Sequence, residues 1–186
     1  MMRTWKAVTL AVLLAGCVTK AGTIDPQFRL GESDISIVIG RMEAVRALDS
    51  RSDDLNKILK GTMVLTVVHE ALDKTYEIKT ADSDFGSDFY VALPPGRYRI
   101  TKWSNSALES RLRGWFDVPP RRVVYIGTIR WSDRGPAFLS RRGRWTLHDD
   151  TEEVSSRFRG RFPAVDERIT KSFIFSNPER GVSASP

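Results

Sequence analysis

The chain has 186 residues, of which 41% are hydrophobic and 28% are charged, and its formal net charge is +6. This composition can build a hydrophobic core and excludes a wholly disordered protein. The charge is unevenly divided, because residues 17–93 carry 9 Lys and Arg against 13 Asp and Glu, whereas residues 94–186 carry 18 against 10. The C-terminal half therefore has a net charge of +8, mostly from arginine.

The N-terminus combines basic residues, a short apolar run and a cysteine. Arg3 and Lys6 precede an apolar stretch over residues 7–14, which is shorter than the roughly 20 residues that a membrane-spanning helix needs. The pattern predicts a secretory signal rather than a transmembrane helix. Cys17 is the only cysteine, so an exported domain must be stable without an intramolecular disulfide.

The motif Leu14-Ala15-Gly16-Cys17 resembles the lipobox of bacterial lipoproteins. The resemblance implies a signal peptide over residues 1–16, cleavage between Gly16 and Cys17, and acylation of Cys17 with fatty acids such as palmitate. Val18, rather than Asp, follows the cysteine, which implies an anchor in the outer membrane with the domain facing the periplasm. An exported lipoprotein rarely meets nucleic acid, so we expect no nucleic-acid partner.

Apolar residues that alternate with polar ones predict a β-rich domain over residues 32–176, preceded by a tether over residues 17–31 and followed by a flexible tail over residues 177–186. Turn residues separate about seven short apolar runs, which is typical of a β-sandwich. The run from Val123 to Trp131 is almost wholly apolar or aromatic and predicts a central strand. The other strands are expected around Ile35–Ile39, Met63–His69, Tyr76–Ile78, Phe89–Leu93, Tyr98–Ile100, Phe116–Val118 and Trp145–Leu147.

Two helices are expected beside the strands. Leu55, Ile58 and Leu59 recur at helical spacing in an insertion over residues 44–60, and Asp150 stands three residues before Glu153 in a pattern typical of a helix start. The second helix is predicted over residues 151–159. Farther on, Ile169, Phe173 and Phe175 are expected to dock on the core or to add an edge strand. The prediction is a mainly β protein, an antiparallel β-sandwich with a short inserted helix and a C-terminal helix.

Residues 80–100 contain an Asp/Gly-rich turn, an alternating strand, the motif Leu93-Pro94-Pro95-Gly96-Arg97-Tyr98 and a second alternating strand. This order resembles the transthyretin-like, or carboxypeptidase-regulatory-like, family. The resemblance implies a transthyretin-like or Ig-like sandwich that serves as a binding, spacing or assembly module. Independently of the family, Pro95 and Gly96 suit the second and third positions of a tight turn.

Arginine clusters in the C-terminal half form a candidate interaction surface. Guanidinium groups pair bidentately with phosphates and carboxylates. The clusters could therefore face anionic lipid, a glycan or an acidic envelope protein, or they could be solvated and paired with the acidic half of the chain. The candidate residues are Arg111, Arg113, Arg121, Arg122, Arg141, Arg142, Arg144, Arg157, Arg159 and Arg161.

The two histidines, His69 and His148, support an alternative function, that of an envelope hydrolase or metal-dependent enzyme. His148 precedes Asp149 and Asp150, which could orient an imidazole base. However, no nucleophile motif, phosphate-binding loop or zinc motif accompanies either histidine. We therefore expect a non-enzymatic protein with no catalytic residue, metal or cofactor.

Two further patterns leave alternatives open. Asp82, Asp84, Gly86 and Asp88 could form a calcium loop, although an Asp/Gly turn accounts for the same residues. Four tryptophans lie in or beside predicted strands, where they could fill the core or form an aromatic and cationic groove for glycans or a protein. These tryptophans are Trp103, Trp115, Trp131 and Trp145.

Overall fold

The computed structural model describes a two-sheet sandwich with one helix packed on its outer face. The described residues are 18–25, 27–31, 34–45, 62–80, 86–104, 109–133 and 143–174. The elements are β1 Thr19–Lys20, β2 Gly22–Thr23, β3 Ser36–Val45, β4 Val64–His69, β5 Lys74–Lys79, β6 Gly86–Leu93, β7 Gly96–Ser104, β8 Glu109–Ser110, β9 Gly114–Val118, β10 Val123–Asp133, β11 Gly143–His148, α1 Thr151–Arg161 and β12 Ile169–Lys171.

The mainly β sandwich predicted from the sequence is confirmed, and both of its sheets are mixed. Sheet I has the strand order β1-β5-β4-β7-β8, with β9 also paired to β7. Sheet II has the order β11-β10-β3-β6-β2, with β12 also paired to β10. The pairs β1–β5, β3–β10 and β10–β12 run parallel, which an antiparallel sandwich does not include. β10 lies inside sheet II, as the apolar run from Val123 predicted.

The main core fills the space between the two sheets. Sheet I contributes side chains such as Leu65, Tyr98 and Phe116, and sheet II contributes Val38 and Ile126, all of them fully buried. Tyr98 and Phe116 stack with ring centroids 5.4 Å apart. The aromatic side chains supply much of the buried area that this disulfide-free domain requires.

The C-terminal helix α1 builds a second core on the outer face of sheet II. Its residues Val154 and Phe158 pack against Ile37, Ile39 and Tyr125 of the sheet. This packing explains why β3 is buried on both faces, since Val38 points toward sheet I while its neighbours point toward the helix. The helix predicted over residues 151–159 is confirmed and continues to Arg161.

The start of α1 differs in detail from the predicted capping pattern. Asp150 is the N-cap residue, but its side chain makes no capping hydrogen bond. The carboxylate of Asp149 instead accepts hydrogen bonds from the backbone N–H of Thr151, at 3.2 Å, and from the Thr151 hydroxyl. Asp149, one position before the N-cap, therefore satisfies one of the free N–H groups of the first turn, that of Thr151.

Residues 18–25 lie along the edge of the sandwich, although the sequence predicted a tether there. Thr19 pairs with Tyr76 in sheet I, the backbone N–H of Ala21 donates to Glu77 O at 3.0 Å, and Gly22 pairs with Ala92 in sheet II. Ile24 is 7% exposed and belongs to the helix core. The segment therefore joins both sheets, a position that its aperiodic sequence did not indicate.

A one-residue bulge in β10 changes which residues face the main core. Tyr125 pairs with Ile39 and Thr128 with Arg41, so β10 advances three residues where β3 advances two. Gly127 lies in the bulge with φ +111°, a backbone conformation that residues other than glycine rarely adopt. Val124 and Ile126 face sheet I before the bulge, and Ile129 does so after it.

The predicted insertion helix over residues 44–60 falls largely outside the described residues, as do Phe175 and the predicted tail over residues 177–186. The first two residues of that insertion, 44 and 45, lie in β3. The predicted edge strand near Ile169 is confirmed, because β12 pairs with the start of β10.

Buried tyrosines give the fold a specific response to alkali. Burial raises the pKa of Tyr98 and Tyr125, and burial with a hydrogen bond to Asp88 raises that of Tyr90. Above about pH 10 the unfolded chain releases these protons while the native state retains them. Below about pH 10, we expect these tyrosines to leave the free energy of unfolding unchanged. Above about pH 10, we expect each of them to lower the free energy of unfolding by up to ~1.4 kcal/mol per pH unit.

This expectation is checked by urea unfolding at rising alkaline pH, with tyrosinate absorbance recorded in parallel. Tyrosinate from these three residues should appear together with unfolding, and Tyr98→Phe should reduce the slope. Ionisation of all the tyrosines near pH 10 in a protein that is still folded would contradict the expectation.

Candidate interaction surface

The predicted lipidation residue Cys17 and cleavage residue Gly16 lie outside the described residues, which begin at Val18 beside β1. Among the helices that the described residues form, none has the length and apolar character needed to cross a bilayer. Of the predicted surface arginines, Arg141 and Arg142 also lie outside the described residues, and for Arg144 only the backbone is described.

Several of the remaining candidate arginines are paired with acidic residues distant in sequence. Arg121 Nη2 lies 2.8 Å from Asp34 Oδ1, and Arg122 Nη1 lies 3.5 Å from Glu167 Oε2. These exposed pairs each contribute little to stability. For Arg121 and Arg122, these pairs support the second alternative given above, in which the arginines pair with acidic residues of this same chain and do not bind a partner.

Arg157 belongs to an ion-pair network that attaches α1 to sheet II. Its Nε and Nη2 atoms donate to the two oxygens of Asp88 at 2.5 and 3.0 Å, and its Nη1 pairs with Glu153. The hydrogen bond to Asp88 is the largest cause that raises the pKa of Arg157. Arg41 and Glu43 extend the network, because Arg41 Nη1 lies 3.6 Å from Asp88 and its Nε lies 2.6 Å from Glu43.

The Asp88 carboxylate is engaged in this network and also accepts a hydrogen bond from the Tyr90 hydroxyl at 2.9 Å. Asp82 and Asp84, the other acids of the possible calcium loop, lie outside the described residues. Asp88 therefore acts in the structure as the acceptor that docks the helix. Among the described residues, no group of three or more His, Cys, Asp or Glu is arranged to hold a metal ion.

Of the candidate arginines whose side chains are described, Arg111, Arg113 and Arg159 are exposed and have no ion-pair partner within the described part of the chain. Arg161 is also exposed, and its guanidinium lies 6.0 Å from the ring centroid of Tyr90. Arg159 is distinguished from Arg111 and Arg113 because it borders a cleft.

The cleft lies between α1 and the start of β12 and has a volume of about 400 Å³. Thr151, Ser155 and Arg159 line one side at four-residue spacing on the helix, and Arg168 and Ile169 line the other. Glu152 and Ser156 complete the lining.

Two features of this cleft suit an anionic group. Arg159 and Arg168 are exposed, and neither has an ion-pair partner among the described residues. The Ser155 hydroxyl is buried and has no hydrogen-bond partner within the same part of the chain. A buried hydroxyl without a partner is costly. The Ser155 oxygen is not exposed to the cleft, so a bound oxyanion would satisfy it after the side chain turns outward.

Sequence reasoning found Arg159 but missed Ser155 and Arg168. The four-residue spacing of Ser155 and Arg159 on a predicted helix was the available signal, because such residues share one helix face. Arg168 stands outside every arginine cluster, and only the fold brings it beside the helix.

His69 is buried in strand β4 of sheet I, where it is 4% exposed, and both of its ring nitrogens have hydrogen-bond partners. Its Nδ1 accepts a hydrogen bond from the backbone N–H of Leu72 at 3.2 Å, so we assign the ring proton to Nε2. Nε2 then donates to Pro95 O at 3.0 Å. The ring also meets Tyr98 edge to face, with centroids 4.9 Å apart. Both nitrogens of this histidine hold loops in place.

His148 and Asp149 are adjacent in sequence but have separate partners. His148 Nε2 lies 2.8 Å from the Thr146 hydroxyl on the same strand. Asp149 accepts hydrogen bonds from Lys171, at 2.8 Å, and from Thr151. The hydrogen bonds from Lys171 and from the hydroxyl and backbone N–H of Thr151, led by that from Lys171, lower the pKa of Asp149. The carboxylate thus fastens the start of α1 to β12 rather than orienting the imidazole.

Three of the four tryptophans considered for a groove pack within the fold. Trp103 is 1% exposed, stacks on Trp131 with centroids 6.3 Å apart, and meets Trp145 edge to face at 4.8 Å. Trp115 is half-buried in β9, where it pairs in register with Arg99 of β7. The interpretation as core residues therefore holds for Trp103 and Trp131.

No family model, curated protein or solved structure matches this chain.

Proposed function

We propose that this chain is a lipid-anchored lipoprotein of the bacterial cell envelope whose β-sandwich is a binding or assembly module facing the periplasm, and not an enzyme. The lipobox-like residues 14–17 support acylation of Cys17, and Val18 supports the outer membrane. The binding role is supported chiefly by one observation, the cleft in which Arg159 and Arg168 accompany the buried Ser155 hydroxyl.

The chemistry of the cleft favours a phosphate or carboxylate carried by an envelope component. Guanidinium groups form short charge-assisted hydrogen bonds with such oxyanions. Once its side chain turns toward the cleft, the Ser155 hydroxyl can donate one more hydrogen bond, and Ile169 offers an apolar surface to the rest of the ligand. Glu152 at the rim would repel a second negative charge, which favours a ligand with a single oxyanion at this point.

A vesicle-binding experiment tests this role with a soluble form that begins at Val18. We expect stronger retention on anionic than on neutral vesicles, and weaker retention as salt rises. Replacing Arg159 or Arg168 by Ala should lower the affinity about tenfold each, because a hydrogen bond to a charged group contributes roughly 1.5 kcal/mol.

Arg111→Ala with Arg113→Ala provides the matched control, since these arginines are also exposed and have no ion-pair partner in the described part of the chain, but they do not line the cleft. The control should leave retention nearly unchanged. Equal, salt-insensitive retention on both kinds of vesicle, in the parent and in the Arg159 and Arg168 variants alike, would contradict an anionic lipid ligand.

Crosslinking in intact cells, followed by mass spectrometry, tests the alternative that the oxyanion belongs to a protein. Crosslinks from the full-length protein should then map to residues around α1 and β12. Crosslinks confined to the outer face of sheet I would contradict a role for the cleft.

A further inference from the structure

One end of the sandwich gathers the start of the described chain and three turns. We call it the Leu72 end and define it by Val18 and residues 70–73, 94–96 and 119–122. Strand register brings these segments together, because Thr19 pairs with Tyr76, His69 with Tyr98, and Gly96 with Val118.

The Leu72 end carries exposed apolar side chains. Val18 is 56% exposed and Leu72 is 58% exposed. The other exposed large hydrophobic residue in the described part of the chain is Leu147, which is 39% exposed and pairs with Ile129 in the edge strand β11, away from this end. Single exposed apolar residues are ordinary, but two at the point where an anchor would begin suggest contact with lipid.

The turn that carries Leu72 is firmly held. The backbone N–H of Leu72 donates to His69, whose ring is bonded in turn to Pro95 O of the neighbouring loop. Lys74, directly after the turn, lies with its ammonium 5.5 Å from the ring centroid of Tyr76. A fixed turn presents Leu72 in one orientation relative to β1.

The distance between the anchor and this turn is limited by chain length. Cys17 precedes Thr19 by two residues, which span at most about 7 Å. β1 and β5 run parallel, with Thr19 opposite Tyr76. Along the sequence, Lys74 precedes Tyr76 by two residues, and Cys17 likewise precedes Thr19 by two residues. The turn over residues 70–73 extends beyond Lys74 in the same direction.

We propose that the Leu72 end rests on the bilayer and that the Leu72 side chain enters the boundary between headgroups and acyl chains. The proposal relies on the acylation of Cys17 proposed above. Arg97, Arg121 and Arg122 at or beside this end are each ion-paired. Glu70, Asp73 and Lys74 flank Leu72 with exposed side chains and would lie at the level of the headgroups, so Leu72 and Val18 supply the apolar part of the contact.

The test uses the full-length chain expressed in bacteria and studied in its own membranes. Once Cys17 is acylated, Leu72→Cys introduces the only reactive thiol, which is labelled with an environment-sensitive fluorophore. Leu147→Cys is the matched control. At position 72 we expect a blue-shifted emission, quenching by nitroxide lipids and loss of quenching by aqueous iodide, whereas the label at position 147 should respond to iodide alone.

A second variant carries about 20 flexible Gly and Ser residues between Val18 and Thr19, which add a mean reach of roughly 25 Å. This insertion should restore iodide quenching at position 72. Equal iodide quenching at positions 72 and 147 without the insertion would overturn the proposal, as would continued shielding of position 72 with it.

Failure of the lipid anchor itself is recognised separately. In that case Cys17 of the parent chain reacts with maleimide, and mass spectrometry finds no acyl mass. If Cys17 is acylated and the label at position 72 is still quenched by iodide, the proposed orientation of the Leu72 end on the bilayer is wrong, whereas the lipid anchor stands.

Discussion

Replacing Trp103 by Ala is expected to lower the free energy of unfolding by about 4 kcal/mol, which corresponds to a loss of roughly 8–16 °C in the melting temperature. Trp103 is 1% exposed and links the sheets through its contacts with Trp131 and Trp145. Truncation removes this burial, leaves a cavity and breaks both aromatic contacts.

A second substitution separates packing from hydrogen bonding. The Trp103 indole N–H is buried without a hydrogen-bond partner among the described residues. Trp103→Phe deletes that donor and keeps most of the ring contacts, so its cost should stay near 1–2 kcal/mol.

Trp115→Ala, on the outer face of sheet I, is the control and should cost about 1 kcal/mol. Urea unfolding followed by far-ultraviolet circular dichroism measures all three, and equal losses for Trp103→Ala and Trp115→Ala would contradict the described core.

Replacing Gly96 by Ala should cost about 3 kcal/mol. Gly96 has φ +146°, and a Cβ there would lie 2.3 Å from His69 Nε2. The imidazole cannot easily yield, because it is hydrogen bonded on both sides and packed against Tyr98. Backbone strain and overpacking each contribute roughly 1–3 kcal/mol in such positions.

Gly160→Ala is the matched control for Gly96→Ala. Gly160 lies in α1, and no atom approaches within 4 Å of an added Cβ. Alanine suits a helix better than glycine, so this variant should gain about 0.5 kcal/mol. Thermal unfolding should thus move in opposite directions for the two variants. A Gly96→Ala protein as stable as the parent would mean that His69 does not brace the turn as described.

The sequence predicted the strands well because alternation is a local signal. The run from Val123 to Trp131 and the pattern around Tyr98 and Ile100 correspond to β10 and β7. The parallel pairing of β3 with β10 had no local signal, since it joins residues more than eighty positions apart. The bulge at Gly127 also escaped prediction, because an extra residue reverses the alternation that defines the inward face.

The candidate surface was harder to predict than the fold. Arginine clusters marked the basic half, but the partners Asp34 and Asp88 lie in the acidic half, and only the tertiary structure shows which arginines they engage. Arg157 and Arg159 are near neighbours in one cluster, yet one docks the helix and the other borders the cleft. Charge counting cannot make this distinction.

The parallel pairing of β3 with β10 also determines when the chain can fold. β3 lies between β6 and β10, its outer face is covered by α1, and β12 pairs with β10, so sheet II gains its full set of contacts only after residue 171 has been synthesised. Contacts that close such long loops form slowly. We therefore expect nascent chains that end before residue 171 to remain largely unstructured, a state that would suit the export proposed above.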